Sequence, residues 1–227
     1  MEFRDYQKKI INKAKPLLLK DKFVYLAMEV RTGKTLTSLG VSALLPVSNL
    51  LFITKKKAIS SIAKDYEMLS PPYNICIINY ESLHKVDPPH DWDMIILDEA
   101  HSMGAFPKPS KRARAVRDMI KKTKASVILL SGTPTPESYS QMYHQVYAIP
   151  SNPFKEYVSF YKFAKDYVIV KQRKINGLFI NEYKDGMTTI LDAMKPYTIA
   201  YTQKEAGFKV DTREHVLEVE MSDLTHS

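Results

Sequence analysis

Cysteine is nearly absent: the 227-residue chain has one, Cys76. It can form no internal disulfide, and with histidines scattered along the chain it has no partners for a zinc centre. Flanked by Ile75 and Ile77 in a short apolar run, it reads as a small buried hydrophobe rather than a nucleophile. Long apolar runs are also missing, and none approaches the ~20 residues of a membrane span. The first residues, Met1-Glu2-Phe3-Arg4-Asp5, hold no apolar signal core. Internal repeats and low-complexity tracts are lacking too. These absences predict a reducing, cytoplasmic setting and no membrane partner.

What remains is ordinary globular material, 44% apolar and 26% charged, enough for one good core and an appendage. The 33 Lys and Arg against 25 Asp and Glu leave a net charge of +8. That balance permits attraction to a polyanion, and excess surface lysine would look the same.

Apolar periodicity organises the chain. Residues 4–19 place Ile10, Ile11, Ala14, Leu17 and Leu18 on one helical stripe, with Pro16 marking a kink or the end of a first helix. Residues 23–27 read as a buried strand, 34–45 as a helix ended by Pro46, 49–54 as a strand and 58–69 as a helix. Residues 75–78, 94–97 and 127–130 are three further β-branched runs of the kind buried on both faces. Their alternation with helices predicts an α/β fold, a parallel sheet flanked by helices. Thr54, Asn79, Asp98 and Ser131 then all fall at carboxyl ends of strands, where ligands gather in such sheets.

Beyond Glu137 the character changes. Residues 154–167 are helix-like and dense in Phe, Tyr and Lys, suiting either base stacking or, better, packing onto the first domain. Asn176-Gly177 between apolar runs signals a hairpin. The expected layout is a domain over 1–145, a small α+β appendage over 146–210, and a strand or linker over 211–227, where residues 215–221 alternate.

Two motifs carry chemistry. Arg31-Thr32-Gly33-Lys34-Thr35 follows the first strand and opens a helix, the setting in which backbone N–H groups meet phosphate oxygens. Lys34 would bring an ammonium to the β/γ-phosphates of a nucleoside triphosphate and Thr35 a hydroxyl to Mg²⁺. Asp98-Glu99-Ala100-His101 ends another strand: Asp98 would hold the same metal, and Glu99 would orient or deprotonate the attacking water. The usual first glycine of the phosphate loop is replaced by Met28, which cannot share glycine's freedom at positive φ.

These motifs also carry a family resemblance. From residue 3 to about 137 the chain resembles the first RecA-like (P-loop NTPase) motor domain of superfamily 2 helicases. It is most similar to the Swi/Snf-type translocases and their short bacteriophage relatives with a DEAH box. Arg4-Asp5-Tyr6-Gln7 resembles the element whose glutamine reads adenine. Asn79-Tyr80-Glu81-Ser82-Leu83 resembles a nucleic-acid-contacting motif, and Leu130-Ser131-Gly132-Thr133-Pro134 resembles motif III, which couples hydrolysis to movement.

The resemblance implies ATP and Mg²⁺ as cofactors and duplex DNA as track, with RNA as the lesser possibility. It also implies a second RecA-like domain, in cis or trans, carrying arginine fingers. Arg31, Thr32, Gly33, Lys34 and Thr35 would bind nucleotide; Gln7 is an adenine reader or an ordinary helix glutamine. Ser131, Gly132 and Thr133 would couple, with His101 either linking them to the metal site or serving as a passive structural histidine. Lys55, Lys56, Lys57, Tyr80 and Ser82 are candidate nucleic-acid contacts, against readings as solvated face and core. Lys108, Lys111, Arg112, Arg114, Arg117, Lys121 and Lys122 form the densest basic stretch, with Ala113, Val116 and Ile120 as its buried side. The function expected is an ATP-dependent nucleic-acid translocase. The rivals are the motor of a restriction or defence complex and a non-motor ATP-binding switch.

Overall fold

The computed structural model describes residues 2–86 and 91–207. The alternating strand predicted over 215–221 lies outside the described residues, as does the whole segment 211–227. Helix α1 (Asp5–Asp21) leads to β1 (Phe23–Met28), α2 (Lys34–Ala43), β2 (Asn49–Thr54), α3 (Ile59–Leu69) and β3 (Asn74–Asn79). After a 3₁₀ turn at Tyr80–Lys85 come β4 (Met94–Leu97), α4 (Lys111–Lys121) and β5 (Ser126–Leu130). A second half follows: α5 (Met142–Val146), α6 (Phe160–Tyr167), the antiparallel pair β6 (Val168–Ile175) and β7 (Leu178–Gly186), α7 (Thr189–Met194) and β8 (Thr198–Tyr201). No helix among the described residues is long and apolar enough to cross a membrane.

Six strands form one sheet in the order β3-β2-β4-β5-β1-β8, every pairing parallel. Because successive side chains point to opposite faces, each strand feeds two cores. Phe23, Tyr25, Leu51, Ile53, Ile95 and Leu129 join one, under α4, α5 and α6. Val24, Leu26, Phe52, Met94, Ile96 and Leu130 join the other, with Ile10, Ile11 and Leu18 of α1 and Leu39 of α2. Both faces are thereby covered, which is why these strands are apolar throughout rather than alternating.

Three local expectations change. α1 runs unbroken through Pro16, whose ring lies on the exposed side of the helix. The predicted helix over 154–167 starts only at Phe160, after Ser159 accepts a hydrogen bond from the Lys162 N–H as its cap. Ahead of it Phe154 packs edge-on against Phe163 at 5.0 Å. Phe154, Phe160, Phe163 and Tyr143 are buried together, so this aromatic stretch serves packing. Finally, Thr198–Tyr201 returns to the large sheet beside β1, pairing Tyr201 with Met28. Half-buried Cys76 sits in β3, where burial pushes its thiol pKa up, away from nucleophilic use.

Candidate functional site

Strand register brings the carboxyl ends together. Leu26 pairs with Leu130, Leu129 with Leu97, and Leu97 with Ile53, so the segments after β1, β5, β4 and β2 emerge side by side. The loop after β1 turns at Arg31 and Gly33, with φ of 64° and 74°. Met28 needs no glycine freedom: it ends β1 fully buried, and the positive φ falls further along. Gly33 does need it. A Cβ there would stand 2.6 Å from Gln7 Nε2 as well as in the left-handed region.

The loop is tied down from three sides. Within it, Thr32 Oγ1 donates to the Glu29 carbonyl at 2.6 Å. From α1, the Tyr6 hydroxyl donates to the Thr32 carbonyl at 2.9 Å, and the Tyr6 ring stacks on Tyr201 at 4.6 Å. From beyond β8, Gln203 donates through its backbone N–H to Glu29 Oε2 at 2.7 Å and through Nε2 to the Val30 carbonyl at 2.8 Å. Gln7 is buried: its Oε1 accepts from the Arg4 N–H at 3.0 Å, and its Nε2 makes 3.4 Å contacts with Gly33 O and Thr37 Oγ1. Arg31 is exposed, and Lys34 and Thr35 stand partly buried in the first turn of α2.

Across the loop, Lys34 Nζ lies 3.4 Å from Glu99 Oε1. Glu99 itself takes a left-handed backbone, φ 52°, which presents its carboxylate toward the loop at a cost of about 1–3 kcal/mol. His101 Nδ1 is 3.5 Å from Glu99 Oε2 and 2.9 Å from Ser131 Oγ. Burial pushes the His101 pKa down, and the charges of Lys55 and Lys34 add to that against the pull of Glu99. Ser131 Oγ also accepts the Thr133 N–H at 3.1 Å. A Cβ on Gly132 would meet the backbone of Met28, Glu29 and Val30 at 3.5 Å.

Asp98 is the buried charge of the site. Its Oδ2 accepts from Thr54 Oγ1 at 2.8 Å, while Oδ1 is buried without a hydrogen-bond partner. Burial raises its pKa, against the lowering effects of the Thr54 hydrogen bond and Lys34. A carboxylate oxygen left bare in this way suits a cation.

The remaining candidates spread over neighbouring strand ends. Lys55 is partly buried and Lys56 and Lys57 are exposed, just after Thr54. The Ser82 N–H is held by Asn79 Oδ1 at 2.8 Å. Tyr80 is a correction: it is a core residue, 4% exposed, donating to the Asp98 carbonyl under an Arg112 guanidinium 4.7 Å from its ring. Its hydroxyl ties the 3₁₀ turn to the strand end that carries Asp98. Thr54, Tyr201 and Gln203 complete the site without belonging to a short motif, and of these only Thr54 had a signal, its place at a strand end. Tyr6 lies within Arg4-Asp5-Tyr6-Gln7 but had no signal of its own.

A lysine-bearing loop and an acidic strand end meeting on a parallel sheet flanked by helices define a RecA-like domain of the P-loop class. The match to the SNF2-related domain, over residues 24–227, shows the family, and the chain belongs to it. Among solved structures it is similar to the Sulfolobus solfataricus SWI2/SNF2 ATPase core domain, with a TM-score of 0.66 at 17% identity. That likeness covers 89% of this chain and 44% of the other, so the chain spans less than half of that core's length. A slighter likeness, TM-score 0.42 at 18% identity over 58% of this chain and 13% of the other, is to the ATP-dependent Type ISP restriction-modification enzyme LlaBIII bound to DNA. Comparison with curated proteins gives no match.

Proposed function

We propose that the chain is an ATP-hydrolysing motor domain whose turnover drives movement along nucleic acid, with double-stranded DNA as the track. One observation carries the reading: the Lys34–Glu99–His101–Ser131 series, in steps of 3.4, 3.5 and 2.9 Å, joins a phosphate-facing cation to the turn after β5. Bound Mg·ATP supplies the phosphoryl group and the bridging charge. Thr35 and Asp98 fit the metal, since Asp98 Oδ1 is buried and unpaired. The N–H groups opening α2 and the Lys34 ammonium hold phosphate oxygens. Gln7 exchanges its long 3.4 Å contacts for the adenine edge.

Glu99 orients the attacking water and accepts its proton. Lys34 and Glu99 face each other at 3.4 Å, and His101 joins Glu99 to Ser131, the route by which a change at Glu99 would reach the turn after β5. Gly132, against the phosphate-loop backbone, reports the same event from the other side. Lys55, Lys56, Lys57 and Ser82 hold the nucleic-acid backbone by phosphate contacts, which position without reading sequence. A pure nucleotide switch has no use for a carboxylate strained into place beside the phosphate loop.

Steady-state ATP turnover against added duplex DNA, single-stranded DNA and RNA tests this. The reading expects stimulation, greatest with duplex DNA. Turnover indifferent to all three would leave a non-motor ATPase, and preference for RNA would replace the track.

A further inference from the structure

The β6–β7 hairpin is a ribbon that packs only at its root. From Ile169 to Asn181 every residue is exposed, including Leu178 at 71% and Phe179 at 69%. An isolated two-stranded ribbon in water gains little from its own contacts, and a cluster of exposed large apolar side chains marks a surface that meets something. Its tip is sharply shaped, Asn176 and Gly177 both taking positive φ in the two-residue turn. Between Arg173 and Ile180 stand two cations and no acid. Lys174 Nζ lies 5.8 Å from the Phe179 ring centre, while Arg173 makes a solvent-exposed 3.7 Å contact with Glu182 that is worth little.

The root is fixed to the turns of the nucleotide site. Ser138 Oγ donates to the Lys184 carbonyl at 2.5 Å and Ser140 Oγ to the Tyr183 carbonyl at 2.7 Å. A Cβ on Gly186 would strike Ser140 N at 2.6 Å, so the ribbon lies directly on this segment. The same segment meets the turn that carries His101, where a Cβ on Gly104 would stand 2.8 Å from the Gln141 carbonyl oxygen. Gln145, just beyond it, donates to the Pro134 carbonyl at 2.8 Å, at the end of Ser131-Gly132-Thr133-Pro134.

We propose that the hairpin tip is a nucleic-acid wedge: Leu178 and Phe179 enter against the bases while Arg173 and Lys174 hold the flanking phosphates. This rests on the reading of the chain as a nucleic-acid motor. A tip a few side chains wide is far short of the ~800 Å² per partner of a stable protein interface, whereas unstacking a base step takes one or two apolar side chains. A two-stranded ribbon also fits the width of a major groove. The two cations, one of them only weakly paired, give the tip the sign of charge a polyanion requires. Through its root, the wedge takes its position from the turns after β4 and β5.

The test uses the full chain, duplex DNA and two variants at exposed positions. L178S/F179S is expected to weaken binding by about tenfold with an unchanged salt slope, because apolar contacts release no counterions. R173Q/K174Q is expected to flatten the slope by about 0.9 for each phosphate no longer neutralised. A photocrosslinking phenylalanine derivative at position 179 is expected to label the DNA. Wild-type affinity and slope in both variants, with no DNA adduct, would overturn the wedge while leaving the motor reading intact. Labelling of protein alone would assign the tip to a protein partner. No binding of nucleic acid by the wild-type chain would overturn the motor reading itself, and the wedge with it.

Discussion

His101 Nδ1 and Ser131 Oγ stand 2.9 Å apart, a single hydrogen bond joining the turn after β4 to the turn after β5. Ser131 is fully buried, and its oxygen also holds the Thr133 N–H at 3.1 Å. Under the proposed function, the bond belongs to the response to hydrolysis rather than to nucleotide binding. Ser131→Ala therefore keeps nucleotide affinity within about twofold. It lowers nucleic-acid-stimulated turnover by about fivefold, what ~1 kcal/mol of hydrogen bonding represents. Paired affinity and turnover measurements check this; equal losses in both would place Ser131 in binding.

Gly33→Ala loses nucleotide binding and costs the fold about 1–3 kcal/mol, from the left-handed backbone and the 2.6 Å approach to Gln7 Nε2. Arg31→Gly, at a residue of the same backbone class that is exposed, leaves stability unchanged or raises it by up to about 1 kcal/mol. Denaturant midpoints of the two variants should move in opposite directions or differ by more than the Arg31 effect. Equal losses would mean the loop geometry is misassigned.

Asp98→Asn abolishes turnover yet raises the melting temperature of the nucleotide-free chain, by about 2–4 °C for each kcal/mol released. Burial lifts the Asp98 pKa above its ordinary 3.8, so the charged form opposes folding. As pH falls through the raised value toward 3.8 the folded state takes up a proton the unfolded state does not, and stability recovers. The advantage of Asn is thus largest near neutral pH and narrows in acid. Thermal melts at about pH 7 and about pH 4.5 check it, and an advantage that grows in acid would contradict the buried-charge account.

How far the sequence announces this arrangement depends on whether a residue's role is local. β1 to β5 are readable because strands buried on both faces need continuous apolar runs, and Lys34 and Asp98 are readable because each follows such a run. Ala113, Val116 and Ile120 likewise fall buried on α4 at the spacing expected. β8 is not readable: Thr198–Tyr201 is short, only half-buried and at the sheet edge, and its place beside β1 depends on tertiary contact alone. Tyr201 and Gln203 reach the phosphate loop by that same route. Tyr80 shares a motif with surface residues, and only its position over Asp98 shows that its ring turns inward. The positive φ of Arg31 and Glu99 is imposed by the surrounding site, against the preference of both residue types.

Charge reversal of Lys55, Lys56 and Lys57 weakens duplex binding for all sequences alike and flattens the slope of log K against log salt by about 0.9 for each phosphate left unneutralised. Lys56 and Lys57 are exposed and Lys55 partly buried, so a thermal melt of the variant accompanies the titration. Salt titrations of two unrelated duplexes check it. An unchanged slope would remove this face from the track and turn attention to the outer side of α4.

The most direct measurement is equilibrium binding of ATP with Mg²⁺ to the wild type, Lys34→Ala and Glu99→Gln, followed by turnover of the bound nucleotide. Lys34 Nζ is 3.4 Å from Glu99 Oε1, so the two variants remove the two halves of one contact. The account predicts that Lys34→Ala loses at least tenfold in affinity, while Glu99→Gln keeps ATP bound and leaves it unhydrolysed. Equal affinity in the wild type and Lys34→Ala, or hydrolysis by Glu99→Gln at the wild-type rate, would contradict it.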